Sequence, residues 1–145
     1  HLGEFLDSPL GQKAALVGIG HLGRAIANYF SGRRPKLKIV AAFDVDDHKI
    51  GRVLHGLRCY PMDQLEEIIR AEGISLGILA VPAKAAQEVA VRMEEAGVNG
   101  ILNLAPIPLS LGPRVYVEDL DITTSLEKVA YFSRAMREQR EEPSS

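Results

Sequence analysis

The stretch Ala14-Ala15-Leu16-Val17-Gly18-Ile19-Gly20-His21-Leu22-Gly23 decides the fold of this chain. An apolar strand runs into a G-x-G-x-x-G turn, and residues 24–30 continue it as a predicted helix. In such a turn the first glycine permits the sharp bend, the second lets the backbone approach a pyrophosphate, and the third lets the helix pack closely on the strand. The start of the helix adds unpaired N–H groups and a positive dipole end. We therefore expect a dinucleotide to bind along Gly18–Gly23, with Ile19, His21 and Leu22 in the same turn.

A carboxylate closes the second predicted strand. The apolar run Ile39–Phe43 ends at Asp44, which follows Gly23 at the spacing of about 20 residues typical of a ribose-binding acid. Its carboxylate would accept hydrogen bonds from both ribose hydroxyls and repel a 2′-phosphate, so we expect NAD(H) rather than NADP(H). Val45 and Lys49, in the next loop, are expected cofactor contacts as well. The plainer alternative is that the glycines and Asp44 are ordinary turn residues between packed strands.

Composition narrows the class of protein. The chain has 145 residues, of which 46% are hydrophobic, as expected for one domain with a full core. Its net charge of −2 gives no general attraction to nucleic acid or to an acidic membrane. The single cysteine, Cys59, excludes an internal disulfide and suits a reducing, cytoplasmic location, with the thiol serving as a small core side chain. Because the sequence begins with His1, we expect a fragment or a processed product.

Apolar strands alternate with helical segments along the chain, which predicts a parallel sheet covered on both faces. Right-handed crossovers then give a doubly wound, mostly parallel α/β sheet of the Rossmann type, in strand order 3-2-1-4-5-6. We expect the later strands at residues 57–60, 76–81, 100–104 and 115–117. The predicted helices span about 22–30, a segment from Pro61 to near Gly73, and 84–96.

The last segment predicts a helix that needs a partner surface. Thr124-Ser125-Leu126-Glu127 has the spacing of a capping box, with Thr124 at the cap. Apolar residues follow at helical intervals, so the helix either packs on its own sheet or docks on another chain. We divide the chain into a linker or remnant of a preceding domain at 1–12, a nucleotide-binding domain at 13–120, a dimerisation helix at 121–142 and a disordered tail at 143–145.

The chemistry of the remaining strand ends indicates binding without turnover. Ligands of open parallel sheets lie at the carboxyl ends of the strands, where Val81, Pro82, Ala105 and Pro106 would wall the nicotinamide half of the site. These loops supply no acid or base beside a nicotinamide ring, as a dehydrogenase requires. One cysteine and scattered histidines give no closed zinc site. We therefore expect a sensor rather than an enzyme.

Several stretches resemble the redox-sensing transcriptional repressors called Rex. The likeness covers about residues 13–135 and is carried by 18–25, 42–46, 79–87, 97–106, 117–123 and 126–132. The resemblance implies a homodimer that binds NADH and NAD and senses their ratio. It also implies an amino-terminal winged-helix domain that binds operator DNA with NAD+ and releases it with NADH.

The resemblance assigns two further residues. Asp121 stands where the family has an acid at the start of a helix that swaps between subunits and lies near the partner's nicotinamide. Tyr29 stands where some members have a tyrosine that shifts with redox state. Because the oxidised ring is positively charged and the reduced ring is neutral, Asp121 would interact differently with the two forms.

Two departures from the family pattern limit what carries over. The winged-helix domain is absent from this sequence, so the chain by itself is not expected to bind operator DNA. His21 stands where some members carry arginine, which removes an arginine-based switch. Two other readings stay open: a fragment of an NAD-dependent oxidoreductase, and a CoA-binding domain like those of acyl-CoA ligases.

Overall fold

The computed structural model describes residues 11–31, 37–54 and 56–141. These residues form a seven-stranded sheet with four α-helices. The strands are β1 (Gln12–Val17), β2 (Leu37–Asp44), β3 (Val53–Leu54), β4 (Leu57–Pro61), β5 (Leu76–Leu79), β6 (Gly100–Asn103) and β7 (Tyr116–Asp119). The helices are α1 (His21–Phe30), α2 (Leu65–Glu72), α3 (Ala83–Ala96) and α4 (Ile122–Glu141), and a 3-10 turn, Met62–Gln64, precedes α2.

The strand order confirms the predicted topology. The sheet runs β3-β4-β2-β1-β5-β6-β7, and every neighbouring pair is parallel except β3 and β4. Without β3, this is the expected 3-2-1-4-5-6 order. Strand β3, which was not predicted, is a two-residue edge strand that pairs antiparallel with the start of β4. A strand this short has no periodicity from which it could be predicted.

One face of the sheet is closed by α2, α3 and the connection between β6 and β7. Leu65 and Ile69 of α2 and Met93 of α3 are fully buried against strand side chains such as Phe43. The connection 104–115, which we call the proline loop, adds partly buried apolar side chains over the same core. This face supports the carboxyl ends of β1, β2 and β5, where the predicted site lies.

An ion pair fastens α2 to α3. The Arg92 guanidinium donates to both carboxylate oxygens of Glu66, at 2.8 and 2.7 Å, and also to the carbonyl of Met62. These hydrogen bonds hold the pKa of the Glu66 carboxyl below its usual value. The pair fixes the 3-10 turn that carries Met62, and this turn borders the site described below.

The opposite face is covered over only part of its width. Helix α1 packs Ala27 against β1, β2 and β4, next to the buried Cys59, which confirms the core role expected for this cysteine. Burial raises the pKa of the Cys59 thiol, so the group stays protonated and inert. Beyond α1 an apolar cavity of about 250 Å³ opens over β5, β6 and β7.

Helix α4 begins within one residue of the predicted segment 121–142 but has a different cap from the predicted Thr124. The Asp121 carboxylate accepts hydrogen bonds from the Thr124 N–H at 2.9 Å and the Thr124 hydroxyl at 2.7 Å. Thr124 is therefore inside the first turn, and the predicted capping box is wrong. Aspartate is a better N-cap than threonine, and the Asp121 carboxylate lies within hydrogen-bonding distance of the Thr124 N–H. The exposed apolar side chains of α4 are Ile122, Leu126, Val129, Tyr131, Phe132 and Met136.

Other predicted boundaries shift by a few residues. Strand β5 ends at Leu79 rather than Val81, because Pro82 already caps α3, and β6 ends at Asn103 rather than Leu104. Most of the proposed linker at 1–12, the last residue of the segment proposed at 121–142 and the proposed tail at 143–145 lie outside the described residues. Among the described helices, none has both the length and the apolar character of a bilayer span.

Candidate nucleotide-binding site

The glycine turn contains two glycines that the fold requires. Gly18 has φ +100°, and a Cβ there would lie 2.3 Å from the carbonyl oxygen of Ala80. A Cβ on Gly23 would lie 2.1 Å from the carbonyl oxygen of Gly18. Neither position can accommodate a larger residue, because the added Cβ would clash with backbone atoms. The turn, which directly follows β1, therefore packs closely against the backbone at the end of β5.

Gly20 is different, because its missing side chain faces open space. A Cβ there would meet nothing within 4 Å, and its φ of −84° suits any residue. Gly20 is the N-cap of α1 and makes no side-chain capping hydrogen bond, and the first turn of the helix has no acidic residue. The uncapped N–H groups and the open approach together fit an anionic diphosphate.

Asp44 braces the turn from the end of β2. Its Oδ2 accepts the Ile19 N–H at 2.7 Å, and its Oδ1 accepts the Asp46 N–H at 2.9 Å. The Lys49 ammonium lies 3.9 Å from Oδ2. Each carboxylate oxygen has a further lone pair, so Asp44 can still accept hydrogen bonds from two sugar hydroxyls.

These residues surround a cavity of about 470 Å³ at the carboxyl ends of β1, β2 and β5, which we call the nucleotide cavity. Among the predicted site residues, those that line it are Gly18, Ile19, Gly20, Asp44, Val45, Lys49, Val81 and Pro82. Five further residues line the cavity that were not predicted from the sequence: Val17, Met62, Ala80, Ala85 and Val89. Ala85 and Val89 look like ordinary core positions of a helix. Only the position of α3 directly after β5 could have indicated them.

A second, smaller cavity lies beside the first. It measures about 200 Å³ and is lined by Asn103, Ala105, Pro106, Ile107, Pro108, Asp119, Leu120 and Asp121. The first cavity lies at the end of β5 and the second at the end of β6, and these two strands are adjacent. At this edge the Leu104 N–H donates to the Leu79 carbonyl at 2.9 Å, which holds the two strand ends together. Three predicted residues, Ala105, Pro106 and Asp121, are thus at the same edge of the sheet as the glycine turn.

Asn103 organises the second cavity, although it was not among the predicted site residues. The side chain is buried, and its amide group donates to the Ile107 carbonyl at 2.8 Å and to Asp119 at 2.9 Å. Its amide oxygen accepts the Ala105 N–H at 3.0 Å. A polar residue ending an otherwise apolar buried strand was the signal that could have identified it.

The four other predicted site residues, His21, Leu22, Gly23 and Tyr29, are not among the residues that line either cavity. His21 and Leu22 begin α1 with exposed side chains, next to the turn but not in the cavity walls. Tyr29 is 54% exposed near the far end of α1, with its ring 5.1 Å from that of Phe30. Tyr29 is eight positions after His21, which corresponds to a rise of roughly 12 Å along the helix axis. A nucleotide role for Tyr29 therefore stays a prediction.

Among the described residues, the site offers groups for nucleotide recognition and no metal centre. In the described ranges, no group of histidine, cysteine and acidic residues could hold a metal ion. Val81 and Pro82 add apolar side chains to the wall of the nucleotide cavity, and Ala105 and Pro106 add them to the wall of the second cavity. Asp121 is held as the cap of α4, and the hydrogen bonds from Thr124 keep the pKa of its carboxyl below the usual value. Its negative charge is therefore present at neutral pH.

Comparison with known proteins places the chain in a family. Residues 11–107 match the model of the CoA binding domain. This chain belongs to the CoA-binding domain family. The match covers β1 to the start of the proline loop, and therefore includes the whole nucleotide cavity. The description of the family names one nucleotide, but the fold and the glycine turn suit dinucleotides equally well.

Individual relatives are more specific. The redox-sensing transcriptional repressor Rex of Listeria welshimeri is 41% identical over 133 residues, which cover 89% of this chain and 62% of the relative. The solved structure of RSP with β-NADH has a TM-score of 0.82 at 28% identity, covering 90% of this chain and 63% of that one. The structure of RSP with β-NAD+ and operator DNA has a TM-score of 0.83 at 27% identity, covering 99% and 67%.

These findings confirm the resemblance to Rex repressors that the sequence predicted, and they confirm the Rossmann-type fold. The chain spans about three fifths of the length of the curated relatives it matches. Those relatives are described as repressors rather than as enzymes.

Proposed function

We propose that this chain is the NAD(H)-sensing domain of a redox-responsive transcriptional repressor of the cytoplasm. The observation that carries the proposal is the nucleotide cavity, in which an uncapped helix start, an open Gly20 and the Asp44 carboxylate converge. Support comes from the likeness to RSP, which was solved with NADH and with NAD+. The domain binds both forms without turning them over.

The residues fit each part of the dinucleotide. The pyrophosphate would lie over Gly20 at the start of α1, and the adenosine ribose would bind Asp44, beside Val45 and Lys49. The nicotinamide would lie against the apolar ends of β5 and β6, toward Pro82 and Pro106. The acids in the described wall beside the expected nicotinamide are Asp119 and Asp121, and their carboxylates already accept hydrogen bonds from Asn103 and Thr124. Neither is a free proton donor or base for hydride transfer, which is the reason for preferring a sensor to an oxidoreductase.

CoA is the second candidate ligand, because the matching family is described by it. CoA carries a 3′-phosphate on the same ribose that Asp44 would bind. Lys49 lies 3.9 Å from Asp44 and offsets part of the repulsion, but the carboxylate is the group held in place by two backbone N–H groups. An unphosphorylated ribose diol suits this arrangement better.

Titration with NADH, NADPH and CoA tests the choice of ligand. We expect NADH to bind at least about tenfold more tightly than NADPH or CoA, because the Asp44 carboxylate repels a ribose phosphate. The variant Asp44→Asn keeps an acceptor for the Ile19 N–H and removes the charge, so it should narrow this ratio. The exposed neighbour Asp47→Asn should leave it unchanged. Tighter binding of NADPH or CoA by the wild type would refute the assignment.

The sensing step is proposed to be electrostatic. The Asp121 carboxylate lines the second cavity of its own chain, whereas the resemblance implies a position near the partner's nicotinamide. In the proposed arrangement it would attract the positive nicotinamide of NAD+ but not the neutral ring of NADH. Apolar walls at Ala105 and Pro106 favour the neutral ring. The attraction of Asp121 for the charged ring favours NAD+, and the apolar walls favour NADH. The difference between these two contributions sets the preference for NADH.

Asp121→Asn separates the charge of Asp121 from its capping role. Asparagine caps helices as well as aspartate does, so α4 should keep its start while the charge is lost. We expect NAD+ to bind about threefold to tenfold more weakly relative to NADH. Asp121→Ala, which loses both roles, provides the comparison. An unchanged ratio of the two affinities, measured by calorimetry in both variants, would defeat the electrostatic explanation.

The partner is proposed to be a second copy of the chain, joined through α4. The exposed apolar side chains of α4 recur at helical intervals, and the apolar cavity over β5, β6 and β7 is a complementary surface. A swap of α4 between subunits would cover both. Operator DNA would be bound through a winged-helix domain of the full-length protein, as the resemblance to Rex implies.

Light scattering tests the dimer. We expect the wild-type chain to have twice the monomer mass and Phe132→Glu to have the monomer mass, because a buried charge in an apolar interface is strongly unfavourable. Arg134→Glu also introduces a negative charge, but on the face of α4 away from Phe132, so it is the matched control and should stay dimeric. A monomeric wild type at micromolar concentration would remove the proposal.

A further inference from the structure

The proline loop has no regular secondary structure, yet side chains from two neighbouring elements hold its backbone. At its start, Asn103 binds the N–H of Ala105 and the carbonyl of Ile107. On its underside, Ile107, Leu109 and Leu111 pack on the core formed with α3. Long irregular connections with this degree of fixation are usually functional.

Gln87 of α3 holds the middle of the loop with two hydrogen bonds. Its amide nitrogen donates to the Ser110 carbonyl at 2.8 Å, and its amide oxygen accepts the Ser110 N–H at 2.9 Å. The carboxamide thus satisfies both backbone groups of one residue, as a neighbouring strand would. Among the ordinary side chains, only glutamine and asparagine supply this donor and acceptor pair.

Glu94 holds the loop at a second point. Its Oε2 accepts the Gly112 N–H at 2.8 Å. Gln87 and Glu94 are two helical turns apart, so both side chains leave the same face of α3. The amino-terminal half of this helix, which carries Gln87, also lines the nucleotide cavity through Ala85 and Val89.

Helix α3 therefore contacts the nucleotide cavity and fixes the loop that walls the second cavity. We propose that Gln87 is a positioning residue for nicotinamide recognition: through Ser110 it holds the proline loop, and with it Ala105 and Pro106, in the conformation that receives the ring. The inference rests on the proposed function. A wall that is already ordered does not lose conformational entropy when the ligand binds, which strengthens binding of the nicotinamide half alone.

Paired titrations with NADH and ADP-ribose test this role. ADP-ribose has the adenosine, both phosphates and the second ribose of NADH but no nicotinamide. Gln87→Met keeps the length of the side chain and removes both hydrogen bonds to Ser110. We expect NADH affinity to fall about tenfold and ADP-ribose affinity to change less than about twofold.

Two variants and one further measurement complete the test. Gln87→Glu keeps the acceptor for the Ser110 N–H and loses the donor, so its loss of NADH affinity should be intermediate. Glu88→Met, at the exposed neighbouring position, should bind both ligands as the wild type does. Hydrogen exchange at the Ser110 amide should accelerate in Gln87→Met, while exchange in β1 stays unchanged.

The outcomes separate the inference from the function on which it rests. Equal losses for NADH and ADP-ribose in Gln87→Met, or no loss for either, would overturn the positioning role and leave the proposed function in place. A wild type that binds ADP-ribose as tightly as NADH would also overturn it, because the loop would then contribute nothing to recognition. A wild type that binds neither ligand would overturn the proposed function and the inference together.

Discussion

Replacing Gly20 with alanine should weaken NADH binding about a hundredfold while the protein folds as before. The backbone of Gly20 has φ −84°, and an added Cβ would meet no protein atom within 4 Å, so the apo fold accepts the methyl group. The same methyl group would occupy the space through which the diphosphate reaches the N–H groups of α1. Loss of binding without loss of stability is therefore the expected signature of this position.

Calorimetry and urea denaturation of the same sample provide the test. The free energy of unfolding of Gly20→Ala should stay within about 1 kcal/mol of the wild-type value, since alanine restricts the unfolded chain but is a poorer N-cap than glycine. Ala25→Gly, in the same helix but with an exposed side chain, is a control that alters the backbone without adding a methyl group. Unchanged NADH affinity in Gly20→Ala would mean that the diphosphate lies elsewhere.

Replacing Gly23 with alanine should have the opposite signature and lower the free energy of unfolding by about 3 kcal/mol or more. The added Cβ would lie 2.1 Å from the carbonyl oxygen of Gly18 and 3.1 Å from its carbonyl carbon. Backbone atoms cannot move aside as a flexible side chain can, so α1 would have to separate from β1. Ala27, buried on the same helix, would lose contacts with the core as a result.

Urea denaturation of Gly23→Ala and Gly20→Ala, compared directly, isolates this cause. Both variants add one methyl group to the same turn, and only the neighbouring atoms differ. A loss below about 1 kcal/mol in Gly23→Ala would show that helix and strand are less closely packed than the Cβ distances indicate. Equal losses in the two variants would contradict the separation of their roles.

The glycine turn and the parallel strands could be predicted because their signals are local. Gly18, Gly23 and Asp44 lie at spacings that one βαβ unit imposes, and the apolar strands between them are buried in the order expected. The terminal helix was predicted for the same reason. Its cap was not, because Asp121 and Thr124 are both good capping residues and the sequence does not show which one the backbone reaches.

The rest of the site depends on contacts between distant segments. In the sequence, Gln87 does not differ from the other polar residues of an amphipathic helix. Only the structure shows that the proline loop lies beside it and is hydrogen-bonded to it. Asn103 likewise becomes informative only when Asp119 and Ile107 are near it in space. Met62 enters the cavity wall because the ion pair of Arg92 fixes its turn. None of these pairings leaves a periodic pattern in the sequence.

A crystal structure of this chain grown with excess NADH tests the central claim most directly. We expect the pyrophosphate oxygens within hydrogen-bonding distance of the backbone N–H groups that follow Gly20, and the hydroxyls of the adenosine ribose on the Asp44 carboxylate. A nucleotide cavity that remains empty under these conditions, or a dinucleotide bound away from Gly18–Gly23, would contradict the account.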